Sequence, residues 1–478
     1  MSVWIGIDLG TQSVRAMAVD ETGRVLGAAS RPLTSHRDGP RHEQDPEQWW
    51  RELAAATREA LRDVPPGRIE GVAVDATSGT VLLTDGDGDP LTPGLMYDDR
   101  RATGEVERVN TVGAAVWERL GYQRMQPNWA LPKLLWLLPD APAGALLAHQ
   151  SDFVNRRLTG HHVATDLSNA LKTGVHLIDE DWPRETFDAL GVPASMLPQV
   201  VRPGSRLGTV CAEAAEATGL PEGTPVIAGA TDGCAAQLGA GALQAGDWNS
   251  VMGTTLVLKG VTRELVHDPL GVVYSHRAPD GSWLPGGASS TGAGVLARDL
   301  AGRDLDALGH QAAARSWADP ATTYPLVSRG ERFPFDAPEA EGFTLGHVSD
   351  DVERYAAILR GAAYIERLCF DYLDLLGAPV DGEIILTGGA TRSAYWNRLR
   401  ANVLGRPVTL RENAEPALGM AVLAAGPDAS AGMIRTREVV QPDGTDLREH
   451  YLRFVDELEG RGWLPSPAAT HARERTTR

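Results

Sequence analysis

The sequence predicts an α/β protein built from two related lobes with a ligand crevice between them, and three observations carry that prediction. The chain has 478 residues, and at roughly 150 residues per domain this is room for two or three domains, each large enough to bury a core. A short strand, a polar tip of glycine and hydroxyl residues, and a return strand occur once in each half. Between the two copies an apolar run ends in an acid and opens a helix of small residues, the arrangement that aims a side chain into the crevice where α/β folds place ligands.

The first copy begins at the amino terminus. Val3 to Ile7 is an apolar run that meets Asp8-Leu9-Gly10-Thr11-Gln12-Ser13, and Val14 to Val19 resumes as an apolar-rich strand, which reads as a hairpin. Amides around Gly10, with the Thr11 and Ser13 hydroxyls, suit phosphate oxygens, because glycine lets the main chain approach closely and hydroxyls donate without adding charge. Asp8 suits Mg²⁺ held through water, since a hard cation prefers carboxylate oxygen and keeps part of its water shell. Taken alone, the segment is equally an ordinary hairpin tip. The second copy is Trp248 to Met252, the tip Gly253-Thr254-Thr255 and the return Leu256 to Lys259. Repetition of the device suggests duplication, and two such tips suit the β and γ phosphates of one nucleotide.

Between them, Pro225 to Gly233 is a buried-strand run ending in Asp232 and followed by CAAQLGAGAL. Asp232 is the candidate general base, able to orient an acceptor hydroxyl and take its proton late in a loose phosphoryl-transfer transition state. A helix-capping aspartate is the competing reading. Near the far end, Glu383 to Thr387 leads into Gly388-Gly389-Ala390 and the helix Ser393 to Leu404. Paired glycines there let a flat adenine lie against the main chain.

Composition removes other classes. With 63 acidic residues against 45 Lys plus Arg the formal charge is −18, and a nucleic-acid surface, which needs clustered cations, is not expected. Only Lys133, Lys172 and Lys259 are lysine, which reads as an arginine bias of the source. Cys211, Cys234 and Cys369 show no metal or disulfide spacing, so a reducing cytoplasm is the expected home. The start lacks the features of a signal peptide, and the longest apolar stretch, Leu131 to Leu138, falls short of a membrane span. A soluble cytoplasmic protein without membrane or nucleic-acid partners follows, as monomer or homodimer. His161 and His162 read as a surface pair, and Trp49, Trp50, Trp129 and Trp136 as packing aromatics.

In this order the segments resemble the FGGY-type sugar kinases, over nearly the whole chain. GIDLGTQSVRA resembles the family's first phosphate loop and HEQDPEQWW the acidic segment that follows in pentulose kinases. MYDDRR is similar to the W-x-D-x-R segment, with Met96 in the tryptophan position, PKLLWL to the core of a family signature, and TDGCAAQLG to the catalytic-aspartate segment. The resemblance implies two actin-like, ribonuclease-H-like lobes with an ATP/sugar cleft between them, and ATP and Mg²⁺ as cosubstrate and cofactor. It implies Asp232 as base, Asp8 and Asp232 at the metal, and Asp8, Ser78, Asp98 and Asp232 at the sugar. Gly10, Thr11, Gln12 and Ser13 would form one phosphate loop, Gly253, Thr254 and Thr255 the other, and Gly388, Gly389 and Arg392 the adenosine site. The segment D-A-T-S-G-T at 75–80 resembles the D-ribulose kinase branch of the ribulokinase and xylulokinase-like enzymes, in which hydroxyls meet the sugar. D-ribulose, phosphorylated to D-ribulose 5-phosphate, is the expected acceptor, with D-xylulose or another pentulose or polyol the alternative. An actin-like ATP-binding switch or chaperone-type ATPase is the alternative of another class.

The expected organisation is a first lobe over residues 1–245, a second over 246–464 ending in a helix that carries Tyr451, Phe454, Val455 and Leu458, and a disordered tail over 465–478. Pro325 to His347 reads as a long loop able to close on substrate, with Glu331 and Arg332 solvated.

Overall fold

A computed structural model describes residues 1–317 and 319–477 of the chain, which divide into two units. Unit 1 comprises Met1–Gly241, His276–Leu284 and Asn413–Arg435. Its six-stranded sheet has the order 206–209, 225–227, 69–76, 3–9, 13–20, 25–32. The strands 3–9, 13–20 and 25–32 form an antiparallel meander, and 69–76 and 225–227 add in parallel beside the first strand. The first strand, VWIGIDL, is buried through nearly its whole length, as a strand covered on both faces must be.

One face is covered by the helix Pro46–Ala60, started by Asp45, whose carboxylate accepts the Glu47 amide at 3.0 Å with proline at the first helical position. The other is covered by Pro416–Ser430, whose small residues let it come unusually near. A Cβ on Gly419 would lie 1.9 Å from the Ala235 carbonyl in the helix Asp232–Ala240. That close approach explains the small-residue composition of CAAQLGAGAL and draws residues 413–435 into unit 1. The expected single boundary at 245/246 is therefore replaced by a first passage at 241/242 and two later returns. A second sheet of unit 1 has the order 36–38, 41–44, 94–95, 81–84, 146–149.

Unit 2 repeats the design. Strands 248–252, 256–260 and 283–288 are an antiparallel meander, 384–387 pairs parallel to 248–252, and 408–411 parallel to 384–387. The helix Asp351–Leu375, capped by Asp350 accepting the Glu353 amide at 2.8 Å, is buried along most of its length. The expected helix carrying Tyr451, Phe454, Val455 and Leu458 spans Arg448–Gly460, with all four buried.

The segment expected as a disordered tail is instead a helix, Ser466–Thr477, with Ala468, Ala469 and Ala472 buried; Arg478 lies outside the described residues. Alanines at helical spacing form a narrow packing stripe. Arg473 pairs with Asp456, and His471 with Asp374 at 2.7 Å.

The loop of unit 2 also differs from expectation. Glu331 is 2% exposed and accepts from the Tyr324 hydroxyl at 2.8 Å, the Ser289 hydroxyl at 3.0 Å and the Ser290 amide at 2.6 Å. It is a buried anchor of the loop, and burial pushes its carboxyl above the usual range. Trp49 and Trp129 are core, while Trp136 is 40% exposed beneath the Arg101 guanidinium. His161 and His162 are exposed. No helix of the described residues is long and apolar enough to cross a membrane.

Candidate active site

In unit 1 the carboxyl ends of three parallel strands meet. Asp8 of the first strand is in register with Asp75 of the strand Ile69–Ala76. Ala76 bridges in parallel to Thr231, so Asp232 follows one residue beyond. Asp232 is the first residue of its helix, with Thr231 in the cap position, and its Oδ1 accepts the Gly233 amide at 2.8 Å. The sheet thus gathers the two acids expected to act, Asp8 and Asp232, around a third that went unassigned.

That third acid is fully buried, and neither carboxyl oxygen of Asp75 meets an amide or hydroxyl donor. Burial, with Asp8 and Asp232 close by, pushes it well above the usual carboxylate range. Asp8 and Asp75 lie close enough for each carboxyl to shift the other. Asp8 itself is raised to about 6, first by burial and then by Asp232, against the lowering hydrogen bond from Asp75.

The first hairpin tip follows Asp8. The Gly10 amide donates to the Ser13 carbonyl at 3.1 Å, the Leu33 amide to the Gln12 carbonyl at 2.8 Å, and the Gln44 side chain to the Thr11 carbonyl at 2.7 Å. Carbonyls engaged in this way leave fewer acceptors to repel an anion. Gln44 is held in turn by the Trp49 indole, which donates to its Oε1 at 2.7 Å.

Ser78 lies at a turn whose two consecutive carbonyls are each held by a lysine. Lys172 Nζ donates to the Ser78 carbonyl at 3.1 Å, and Lys133 Nζ to the Gly79 carbonyl at 3.0 Å and the Met96 carbonyl at 2.6 Å. Gly79 has φ +95°, a conformation that costs other residues roughly 1–2 kcal/mol. Lys133 is fully buried, and burial and then Lys172 pull it down to about 7; a neutral amine has the two N–H groups that two carbonyls require. The unfolded chain holds this proton until about pH 10.5, so between about 7 and 10.5 the unfolded state binds the extra proton and stability rises with pH. Urea unfolding compared at pH 7.5 and 9 is expected to show a wild-type gain that Lys133→Met loses, up to about 1.4 kcal/mol per pH unit.

Asp98 sits apart from the acid cluster. Arg37 donates to its Oδ2 at 2.9 Å and the His42 Nδ1 to its Oδ1. Burial works to raise it, and the hydrogen bonds from His42 and Arg37 outweigh this and hold it below the usual range.

In unit 2, the tip of the hairpin 248–260 and the glycine turn after 384–387 line one cavity of about 300 Å³. Gly253, Thr254, Gly389 and Arg392 are among its walls, with Tyr355 and Trp396. Thr255 and Gly388 flank it in the chain. Gly388 has φ +82°, and a Cβ there would lie 2.6 Å from the Met252 carbonyl. Gly388→Ala is accordingly expected to displace the turn and raise the KM for ATP about tenfold or more, with the sugar KM unchanged. Steady-state kinetics with each substrate varied separately checks this.

Among the described residues no group of three or more His, Cys, Asp or Glu side chains is arranged to hold a metal ion. The Asp8 and Asp232 pair nonetheless fits Mg²⁺, which takes one or two carboxylates and fills its octahedron with water and phosphate oxygens.

A glycine and hydroxyl tip in each unit, with carboxylates at the strand ends of one and a cavity at the tip of the other, is the equipment of an enzyme that moves a phosphoryl group. The chain belongs to the FGGY family of carbohydrate kinases, matching its N-terminal domain over residues 3–239 and its C-terminal domain over 241–426. It is an ATP-dependent sugar phosphotransferase with two ribonuclease-H-like lobes, and the actin-like switch is set aside. The xylulose kinase of Escherichia coli K12 is 30% identical over 462 residues, covering 90% of this chain and 91% of that one. That of Streptomyces rubiginosus is 32% identical over 444 residues, covering 88% and 87%. The crystal structure of xylulose kinase from Rhodospirillum rubrum superposes with a TM-score of 0.84 at 28% identity, covering 96% and 97%.

Proposed function

We propose that this kinase transfers the γ-phosphoryl group of ATP to a terminal hydroxyl of a ketopentose. The observation that carries the reading is the convergence of Asp8, Asp75 and Asp232 at the carboxyl ends of parallel strands, in a chain whose relatives include xylulose kinases along nearly their full length. Asp232 accepts the hydroxyl proton as the oxygen–phosphorus bond forms and the bond to ADP breaks. Asp8 and Ser78 hold the sugar, and Gly10 to Ser13 receive phosphate oxygens. Gly253, Thr254, Thr255, Gly388, Gly389 and Arg392 hold the nucleotide. Mg²⁺, held by Asp8 and Asp232, would neutralise charge on the transferring phosphoryl group.

Xylulose is the acceptor favoured by the relatives. D-ribulose is the second reading, favoured by the Ser78 hydroxyl, which is buried without a partner and stands in the D-A-T-S-G-T segment. Coupled ADP release with Mg²⁺-ATP across D-xylulose, D-ribulose, L-xylulose, L-ribulose, ribitol and glycerol tests both. Preference for a ketopentose supports the proposal, and equal or better turnover of glycerol or ribitol sinks it.

A further inference from the structure

Buried polar groups in folded proteins nearly always find partners, and each exception calls for an explanation. Around the Ser78–Gly79 turn three polar ends lack one: Ser78 Oγ, His42 Nε2 and Gln150 Nε2. His42 is 1% exposed and Gln150 0%, so bulk water does not satisfy them.

Their orientations are determined by neighbours. The Thr77 amide donates to Gln150 Oε1 at 3.1 Å, and the Thr77 hydroxyl lies 2.7 Å from the same atom. A backbone N–H can only donate, so Oε1 faces Thr77 and the NH₂ group is the open end. His42 turns Nδ1 to the Asp98 carboxylate, which accepts only, so Nδ1 carries the hydrogen, and in that tautomer Nε2 presents a lone pair. The His42 backbone is pinned as well. Its amide donates to Asp99 Oδ2 at 2.8 Å, and its carbonyl accepts from the Met96 amide at 3.0 Å.

One connected network joins the segments that carry these ends. Lys133 gathers the Met96 and Gly79 carbonyls onto a single nitrogen, tying the His42 strand to the Ser78 turn. The Gln150 amide N–H donates to the Thr80 carbonyl at 3.3 Å, placing Gln150 on the same turn. The open set is therefore one donor pair and one lone pair, both oriented by their partners, and one hydroxyl. Hydroxyl groups of a polyol, which both donate and accept, match such a set, whereas a fully ionised phosphate offers no hydrogen to the His42 lone pair.

We propose that His42 and Gln150 are direct hydrogen-bond partners of the acceptor sugar, His42 Nε2 accepting from one hydroxyl and Gln150 Nε2 donating to another beside Ser78. Asp98 then acts through His42, as a positioning residue that sets the tautomer. The inference rests on the assignment of Ser78 to the sugar site.

Two variants test it. His42→Asn keeps a donor in the place of Nδ1 and removes the far nitrogen. Gln150→Glu keeps the oxygen that serves Thr77 and replaces the open donor with an acceptor. Each is expected to raise the KM for the acceptor, D-xylulose or D-ribulose, by about 10- to 100-fold, the cost of leaving a desolvated hydroxyl unpaired. The KM for ATP is expected to stay near wild type in both variants, and the thermal midpoint in His42→Asn, which breaks no bond present without sugar. Gln150→Glu buries a carboxylate, so its midpoint falls and its readout is the acceptor KM against an unchanged KM for ATP. An acceptor KM within about twofold of wild type in both variants overturns the inference. So does a lowered midpoint with both KM values raised together, the signature of a structural role. If the wild type prefers another polyol, the ketopentose assignment falls and the same comparison with that polyol decides this one. ATP turnover independent of any acceptor overturns both.

Discussion

Asp232→Asn is expected to lower sugar-dependent ADP release by about 10²- to 10⁴-fold, the usual worth of a positioned general base. The amide keeps the shape of the carboxylate and its acceptor for the Gly233 amide, but it cannot take the hydroxyl proton. Nucleotide binding is expected to survive, because the cavity lined by Gly253, Thr254, Gly389 and Arg392 belongs to unit 2 and Asp232 to unit 1. Titration of ATP into the variant, followed calorimetrically, and ADP release at saturating acceptor separate the two effects. Retention of more than about a tenth of wild-type turnover would falsify the assignment of the base.

The strand ends that make this site were legible because they are local. Val3 to Leu9 and Trp248 to Met252 are apolar runs that stop at a glycine and hydroxyl tip, and both fold as the hairpins their pattern predicts. The helix through Tyr451 and Leu458 was equally local. What stayed hidden depends on partners far along the chain. Asp75 was visible only as the first letter of D-A-T-S-G-T, and its pairing with Asp8 is a matter of register between strands more than 60 positions apart in sequence. Pattern alone does not supply such a register. The tail over 466–477 shows the same limit, since small alanines carry little hydropathic signal and become a packing face only against a neighbour.

Lysine usage illustrates the point for the site. Lys133 and Lys172 read as remnants of an arginine-rich composition, yet both donate to carbonyls of one turn. A guanidinium is planar and five-donored, and cannot be deprotonated near neutrality as Lys133 can. His42, in the acidic segment HEQDPEQWW, is buried with Asp98 and Asp99 claiming both its ring and its amide, partners more than 50 positions away. Glu331 reads as solvated for the same reason, its hydroxyl and amide partners lying as far away as Ser289.

The largest stability effect is expected beneath the hairpin tip of unit 2. Arg400 and Glu366 are both 0% exposed and form a two-point ion pair, Nε to Oε2 at 2.6 Å and Nη2 to Oε1 at 2.7 Å. Ser250 completes the cluster, donating to Glu366 Oε1 at 2.6 Å and accepting from Arg400 at 2.8 Å. It lies on the strand that delivers Gly253, so the cluster ties two helices to the loop. Arg400→Met strands a buried carboxylate, and a loss of about 3–5 kcal/mol is expected, measured as a drop in urea midpoint at pH 7.5. Replacing the whole cluster, Arg400→Met with Glu366→Leu and Ser250→Ala, should cost far less than the single change, since no charge is left unpaired. A single variant as stable as wild type would show that solvent reaches Glu366. A triple variant no better than the single would place the value of the cluster in its geometry, with the KM for ATP raised in both.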